Sequence, residues 1–279
     1  MKVAAINDLS GFGKCSLYSD ITVLSAMGIQ CCPVPTAVLS AQTGYPSYYC
    51  KDLTGIIPRY SDEWSEQGEK FDGIITGFMV SPEQAKNSLD FIRKFKGEKT
   101  TVLVDPVMAD DGEPYANYSE SLLSTIREMV KEADIITPNL TELVLLAGED
   151  PHVLQSIKGE DILDYVEELS SKVRKSEDQI LAVTGINLEE NTVCNYIDSG
   201  SVKKVIKSSS DKIHYSGTGD VFAAVMLGAI LKGSSAADAA LLAGEFIQKC
   251  IADTVKKGSK PIEGIALEGN LHMLGAEKN

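Results

Sequence analysis

The sequence predicts an α/β fold with a doubly wound, mostly parallel central sheet, helices on both faces and a small hairpin at one edge. Short apolar runs rich in β-branched residues alternate along the chain with longer segments whose apolar residues recur every three or four positions. The first pattern is typical of strands buried on both faces, and the second of amphipathic helices. Because parallel neighbours need crossover connections, the connecting helices cover the sheet.

The predicted elements follow one another in a regular order. Strands are predicted at 3–6, 30–36, 73–76, 101–104, 134–137 and 180–184. Helices are predicted at 16–27, 82–95, 119–132, 162–175, 221–231 and 236–251, with Gly233 ending the fifth helix and Ser234 capping the sixth. Segments 191–197 and 202–206, joined across Asp198-Ser199-Gly200, predict the edge hairpin. No repeat or linker interrupts this order, so we expect residues 1–279 to form a single domain.

The composition excludes several classes of partner. The net charge of −14 repels nucleic acid and anionic lipid, so neither is an expected ligand. No apolar run approaches the ~18 residues of a membrane helix, and the N-terminal apolar run is too short for a signal peptide. The six cysteines lack zinc-site spacing and the density of a disulfide scaffold. We therefore expect reduced thiols and a cytoplasmic location.

A glycine-rich turn is the strongest chemical signal. Ser216-Gly217-Thr218-Gly219-Asp220 directly precedes an apolar helix. Glycines let the backbone approach an anion closely, and the amides of a first helical turn point at its charge. Asp220 then supplies the base that an alcohol needs in phosphoryl transfer, although an Asp at this position can equally serve as a helix cap.

Oxygen ligands for a cation follow two predicted strands. Asp105 follows the predicted strand that ends at Val104 and is followed by Asp110, whereas Asn139 and Glu142 follow the next strand. Mg²⁺ takes few carboxylates directly and keeps several waters, so water-mediated contact is expected. The alternative is structural: Asp105 caps a turn before Pro106, and Asn139 with Glu142 forms a capping box.

Motifs in a fixed order cover nearly the whole chain. They are Asn7-Asp8-Leu9-Ser10-Gly11-Phe12-Gly13, Ala41-Gln42-Thr43-Gly44-Tyr45, Asp105-Pro106-Val107-Met108, Thr137-Pro138-Asn139-Leu140-Thr141-Glu142 and Gly217-Thr218-Gly219-Asp220. Together they resemble the pyridoxal and pyridoxamine kinases of the ribokinase superfamily. The resemblance implies a ribokinase-like fold and ATP-dependent phosphorylation of the 5′-hydroxymethyl group of pyridoxal, pyridoxamine or pyridoxine, a step of vitamin B6 salvage.

The resemblance also implies residue roles and cofactors. Asp220 is the implied catalytic base, and the implied anion hole consists of Gly217, Thr218 and Gly219. The implied nucleotide-binding residues are Asp105, Asn139, Glu142, Thr184, Gly185, Ser216, Gly217 and Gly219. The expected metal residues are Asp105, Asp110 and Glu142. ATP and Mg²⁺ are the expected cofactors, with a monovalent cation such as K⁺ as a further one, and a homodimer is expected because relatives often form one.

The implied vitamin pocket shows one departure from the family pattern. Its residues are Asp8, Ser10, Gln42, Thr43, Tyr45 and Asp220. Many pyridoxal kinases have Ser where this chain has Asp8, and Asp8-Leu9-Ser10-Gly11 is similar to hydroxymethylpyrimidine kinases. Asp8 either contacts the ring or caps the strand end. The tyrosine-rich segment 40–49 either covers the ring by stacking or forms a packed surface loop.

Two other functions remain open from the sequence. A hydroxymethylpyrimidine kinase of thiamine biosynthesis is the first, although such kinases often carry Cys at the position of Asp220. A noncatalytic carrier of vitamin B6 is the second. The presence of Asp220, Asn139 and Glu142 favours a catalytic protein over the carrier.

Overall fold

A mixed sheet of nine strands forms the centre of the computed structural model, which describes residues 1–157, 159–189, 191–200 and 202–275. In chain order the strands are β1 (Lys2–Ser10), β2 (Gln30–Leu39), β3 (Cys50–Asp52), β4 (Gly73–Thr76), β5 (Thr101–Val104), β6 (Ala109–Asp110), β7 (Glu113–Pro114), β8 (Ile135–Ile136), β9 (Ile180–Glu189), β10 (Thr192–Asp198) and β11 (Lys203–Ser209). The sheet order is β11-β10-β9-β8-β5-β4-β1-β2-β3, and β6 pairs with β7 separately. Neighbours from β9 to β2 are parallel, whereas β3, β10 and β11 run antiparallel at the edges.

Helices cover both faces of the sheet. They are α1 (Leu17–Ala26), α2 (Ile57–Glu66), α3 (Pro82–Phe95), α4 (Glu120–Glu132), α5 (Leu140–Ala147), α6 (Asp161–Val173), α7 (Thr218–Leu231) and α8 (Ala236–Lys257). Apolar residues of α1, α7 and α8 form the core on one face, and those of α2 to α6 form the core on the other. The predicted doubly wound fold with an edge hairpin is confirmed. Among the described residues, no helix combines the length and apolarity that a membrane crossing requires.

The predicted boundaries agree best with the structure where the apolar pattern of an element is clear. Strands β4 and β5 and helix α3 have the predicted bounds. Strand β3 and helix α2 were not predicted, because Cys50, Lys51 and Asp52 are all exposed and α2 buries only Ile57 and Ser61. The prediction of Ser234 as a cap is wrong: the hydroxyl of Ser235 accepts the hydrogen bond from the Asp238 amide.

The parallel strands bring distant residues to one edge of the sheet. β1, β4, β5 and β8 are successive parallel neighbours, so their carboxyl ends lie together. The loop after β5 contains Asp105, and the loop after β8 leads to Asn139 at the start of α5. The topology therefore collects the predicted polar residues beside the first turn of α7.

Candidate active site

The first turn of α7 lies against the segment that follows β1. Gly217 is the N-cap residue, with φ +81°, and a Cβ atom at this position would lie 2.1 Å from the Lys14 carbonyl oxygen. The Val221 amide donates to Gly217 O, so the amides of Thr218 and Gly219 precede the hydrogen bonds within the helix. These amides have the geometry of an anion-binding helix terminus.

Asp220 is the third residue of α7 and does not cap it. Its Oδ1 accepts a hydrogen bond from Asn7 Nδ2 at 3.3 Å, and the Ser16 backbone amide also donates to its carboxylate. Burial raises the pKa of Asp220 to about 6, since it outweighs the lowering effect of the Ser16 hydrogen bond, and the charge of Asp8 adds to the increase. A carboxylate with this pKa is suited to accept a proton near neutral pH.

Asp105 lies at the carboxyl end of β5, close to the same turn. Its Oδ1 accepts from the Thr137 hydroxyl at 2.9 Å, and its Oδ2 lies 4.0 Å from where a Cβ on Gly219 would be. Burial and then the charge of Asp220 raise the pKa of Asp105 to about 8. Its side chain is thus held by Thr137 of the neighbouring strand end and is not confined to a local turn.

Asn139 and Glu142 form the capping box that the sequence allows. The Asn139 side chain accepts from the Glu142 amide at 2.9 Å, and Glu142 Oε2 accepts from the Asn139 amide at 2.8 Å. Glu142 Oε1 also accepts from the Met108 amide at 3.1 Å, which ties α5 to the loop that contains Asp105. Burial, followed by the charge of Asp105, raises the pKa of Glu142. The structural and the functional interpretations of this motif are therefore compatible.

Asp110 belongs to a short hairpin beside the site. Asp111 and Gly112 form its turn with φ values of +48° and +83°, as a two-residue type I′ loop requires. Asp110 Oδ2 lies 3.5 Å from Nδ1 of His214. Within the described parts of the chain, no group of three or more His, Cys, Asp or Glu side chains is placed to hold a metal ion. Among the described residues, Asp105, Asp110 and Glu142 thus form no direct three-ligand site, and their water-mediated contact with a cation remains a prediction.

Asp8 and Ser10, which are predicted to bind the substrate, face one another on β1. Both are buried, and the Ser10 hydroxyl donates to Asp8 Oδ2 at 3.1 Å. The Ser16 side chain also forms a hydrogen bond with Asp8. Burial raises the pKa of Asp8 against the effect of these hydrogen bonds.

Gln42 connects three loops near the anion-binding turn. Its Nε2 lies 3.2 Å from both Ser216 Oγ and Ile262 O, and its Oε1 accepts from the Gly44 amide at 2.6 Å. Gln42, which was expected to contact the vitamin ring, therefore binds Ser216, the residue that precedes Gly217.

The remaining predicted residues lie on loops around this centre. Thr43 is exposed, and Tyr45 is half-buried in a turn closed by its hydrogen bond to Gln42 O. Thr184 forms a parallel bridge with Asn139, which places the end of β8 beside β9. Gly185 adopts φ +71°. The ligand roles of these residues remain predictions.

Sequence reasoning assigned no role to Asn7, Ser16 or Asp20, although all three are buried at this site. Asn7 Nδ2 donates to Asp20 Oδ2 at 3.2 Å as well as to Asp220. Burial and the charge of Asp220 raise the pKa of Asp20. Ser16 is a non-glycine residue with φ +53°. Its left-handed conformation is the kind of strain that clusters at functional sites, but only coordinates reveal it.

The fold and this site define a kinase of ribokinase-like architecture. A family model described as phosphomethylpyrimidine kinase matches residues 13–263. The chain belongs to that family, and the expected relationship to the pyridoxal kinases is confirmed.

Three relatives illustrate the relationship. A solved structure from Bacteroides thetaiotaomicron, a candidate phosphomethylpyrimidine kinase crystallised with pyridoxal, has 35% identity and a TM-score of 0.89 and covers 98% of this chain and 95% of its own. Pyridoxal kinase from Lactobacillus plantarum has 24% identity and a TM-score of 0.87 and covers 98% and 96%. Human pyridoxal kinase is 28% identical over 230 residues, which are 73% of this chain and 69% of the human one.

The Gly217 geometry leads to a prediction with a matched control. Gly217→Ala and Gly233→Ala both place a side chain at a left-handed φ, of +81° and +90°, which costs about 1–2 kcal/mol. Only the new methyl group at Gly217 meets an atom, because nothing lies within 4 Å of the corresponding position at Gly233. We expect Gly217→Ala to lower kcat by about 100-fold through displacement of the turn. Gly233→Ala should retain wild-type kcat. Equal kcat values in steady-state assays would contradict the assignment of the turn.

Proposed function

We propose that the chain transfers the γ-phosphate of ATP to the 5′-hydroxymethyl group of pyridoxal, pyridoxamine or pyridoxine, with residues 1–279 acting as one kinase domain. The observation that carries the proposal is the position of Asp220, half-buried beside the free amides of α7 and close to Asp105. The relative crystallised with pyridoxal, at 35% identity, supports a vitamin B6 compound as acceptor.

Each group of site residues has a separate role in the proposed reaction. Asp220 accepts the proton of the acceptor hydroxyl, which makes its oxygen nucleophilic. The amides of Thr218 and Gly219 bind the transferring phosphoryl group as its charge redistributes. Asn139 and Glu142 keep α5 and the loop after β5 in a fixed relation, so that the nucleotide meets the acceptor in one geometry. Asp8 and Ser10 offer polar contacts to the edge of the acceptor ring.

The carboxylates of the site favour a cation as cofactor. The charge of Asp220 raises the pKa values of Asp20 and Asp105, and the charge of Asp8 raises those of Asp20 and Asp220. A phosphate brought among these acids without a counter-charge is therefore repelled. Mg²⁺ neutralises phosphate oxygens and polarises them for transfer. Asp105 and Glu142 would hold it through water, with Asp110 nearby. A K⁺ requirement is a further expectation.

A substrate panel tests the function directly. We expect ADP release with pyridoxal, pyridoxamine or pyridoxine in the presence of Mg²⁺, and little release without Mg²⁺. Each acceptor should be assayed with Na⁺ or K⁺ as the monovalent ion. Preference for hydroxymethylpyrimidine would support the second candidate, which the similarity of Asp8-Leu9-Ser10-Gly11 and the family description favour. Tight binding of a B6 compound without ADP formation would identify a carrier and refute the kinase proposal.

Removal of the base should lower kcat and leave the affinity for ATP nearly unchanged. We expect Asp220→Asn to lower kcat by about 10²- to 10⁴-fold, because general-base catalysis contributes this much. The Kd for ATP, measured by calorimetry, should stay within about threefold of wild type.

The pH dependence provides the control for this assignment. The base acts only when ionised, and the pKa of Asp220 is about 6, so kcat/KM of the wild type should fall as the pH decreases through 6. Asp220→Asn should lose this dependence along with its activity. A kcat of Asp220→Asn near the wild-type value would remove Asp220 from its role.

We also propose a homodimer and a cytoplasmic location. The six cysteines are all unpaired, which fits a reducing compartment. Next to the outermost strand β3 lies an edge patch of exposed apolar residues that suits a second copy of the chain. The patch consists of Leu9, Phe12, Val38, Tyr48 and Tyr49.

Charge placed in the edge patch should separate the subunits. Light scattering of the wild type should give twice the chain mass of 30.0 kDa. Val38→Glu should give a monomer because it buries a charge in the interface. Val255→Glu, at a residue 58% exposed on α8, should leave the dimer intact. A monomeric wild type would exclude this interface.

A further inference from the structure

The side-chain amide of Asn7 makes four hydrogen bonds in the centre of the site. Asn7 is 2% exposed, and its Oδ1 accepts from the backbone amides of Asp8 and Phe78, each at 3.1 Å. Its Nδ2 donates to Asp20 Oδ2 at 3.2 Å and to Asp220 Oδ1 at 3.3 Å. A flipped amide would set N–H donors against N–H donors and an oxygen against two carboxyl groups. The surroundings therefore fix which end of the amide faces Asp220.

Steric confinement keeps the Asn7 side chain in this orientation. A Cβ atom on Gly77 would lie 2.4 Å from Asn7 Nδ2 and 2.6 Å from its Cγ. The Gly77 amide donates to Ile6 O at 3.1 Å, so this backbone stays close to the end of β1. The absence of a side chain at Gly77 is thus what creates space for the amide.

Asp20 completes the arrangement from α1. It is 1% exposed, and among the described residues its Oδ1 has no hydrogen-bond partner while its Oδ2 accepts from Asn7. The two N–H bonds of one amide are therefore divided between the carboxyl groups of Asp20 and Asp220. Because Asp20 accepts the first, the second is directed at Asp220. An acceptor oxygen is all that this role requires of residue 20.

Asp220 is in turn held from two sides. Asn7 binds its Oδ1, and the backbone amide of Ser16, at its left-handed φ of +53°, also donates to the carboxylate. A non-glycine backbone in this sparsely populated region is strained, so the direction of the Ser16 amide is maintained by its surroundings. Both hydrogen bonds lower the pKa of Asp220 against the effect of burial.

The geometry points to Asn7 as a positioning residue that orients the Asp220 carboxylate for proton acceptance, with Asp20 as the second acceptor that fixes the Asn7 amide. The inference rests on the proposed function, because it concerns the base of that reaction. Asn7 acts through Asp220 and is assigned no contact with the acceptor or with ATP. Its loss should consequently alter turnover and leave substrate affinity nearly unchanged.

Asn7→Ala tests the positioning role. We expect kcat to fall by about 10- to 100-fold, the effect of one lost hydrogen bond to a charged group, with both KM values within about threefold of wild type. Gln179→Ala is the matched control: Gln179 is a buried amide, 1% exposed, that donates to Val130 O and Ala133 O next to the amino-terminal ends of the strands. This control should lower Tm and leave kcat unchanged.

Asp20 variants give a second measurement that does not require Asn7→Ala to fold. Asp20→Asn keeps an acceptor oxygen and should retain kcat within about threefold of wild type, whereas Asp20→Ala should lower kcat by at least about fivefold more. Equal kcat values for these two variants would overturn the inference.

The remaining outcomes distinguish a failure of the positioning role of Asn7 from a failure of the proposed kinase function. A folded Asn7→Ala enzyme with wild-type kcat refutes the positioning role. An increased KM with unchanged kcat also refutes it, because Asn7 would then be a substrate contact. If the wild type releases no ADP with any acceptor in the panel, the proposed function itself fails. An active wild type paired with an unaffected Asn7→Ala variant leaves the kinase assignment intact.

Discussion

The close approach of Gly217 to the Lys14 carbonyl is the constraint on which the site depends. It brings the N-terminus of α7 against the chain that leaves β1, although more than two hundred positions separate the two segments along the sequence. A hydrogen bond from Lys14 N to Glu263 O at 3.1 Å and one from Ser216 N to Pro261 O at 3.2 Å hold the adjoining loops in the same place. With α7 fixed there, its leading amides and Asp220 face the ends of β1 and β5. Any side chain at Gly217 would push the two segments apart.

The electrostatics of the site follow from this close packing. Burial is the largest cause of the raised pKa values of Asp8, Asp20, Asp105, Asp220 and Glu142. Such a group of acids is costly in a chain that already carries a net charge of −14. The hydroxyls and amides that donate to these carboxyl groups offset part of that cost, as Thr137 does for Asp105. The cation proposed to bind among these acids would reconcile an acidic protein with an anionic nucleotide.

Much of the fold could be predicted because the strands that form its centre are apolar on both faces. β4 and β5 have the bounds that their short apolar runs indicate. By contrast, β3 is a polar edge strand, and its three residues form a strand only because β2 pairs with them. The β6–β7 hairpin is similar, since Asp111-Gly112 is a recognisable type I′ turn but the strands flanking it have only two residues each. Edge elements of this kind depend on tertiary pairing more than on local pattern.

The site residues likewise include some that a sequence pattern identifies and others that only tertiary contacts reveal. Gly217 and Asp220 stand in a motif whose spacing carries chemical meaning, so the sequence identifies them. Asn7 and Asp20 carry no such signal: Asn7 ends a strand pattern, and Asp20 reads as one polar residue in an apolar helix. Asn7 is bonded to Asp220, which is 213 positions away, and to Asp20, which is 13 positions away. No local sequence pattern encodes these contacts. Gln42 is the opposite case, a residue for which the sequence motif predicts a contact with the ring. In the structure its side-chain amide is bonded to Ser216 and to Ile262 O.

Asp8, the residue proposed to contact the acceptor ring, has a hydrogen-bonding character that depends on its protonation. Burial raises the pKa of Asp8, and the hydroxyls of Ser10 and Ser16 counteract the shift. An ionised Asp8 only accepts hydrogen bonds and so favours a ring edge that carries an N–H group, such as an exocyclic amine. A neutral Asp8 can also donate, which favours the oxygen or the unprotonated ring nitrogen of a B6 compound. The hydroxyls of Ser10 and Ser16 can rotate to serve either state of Asp8. With the proposed ring contact, the choice between pyridine and pyrimidine acceptors would therefore depend on the balance between burial and these two hydrogen bonds.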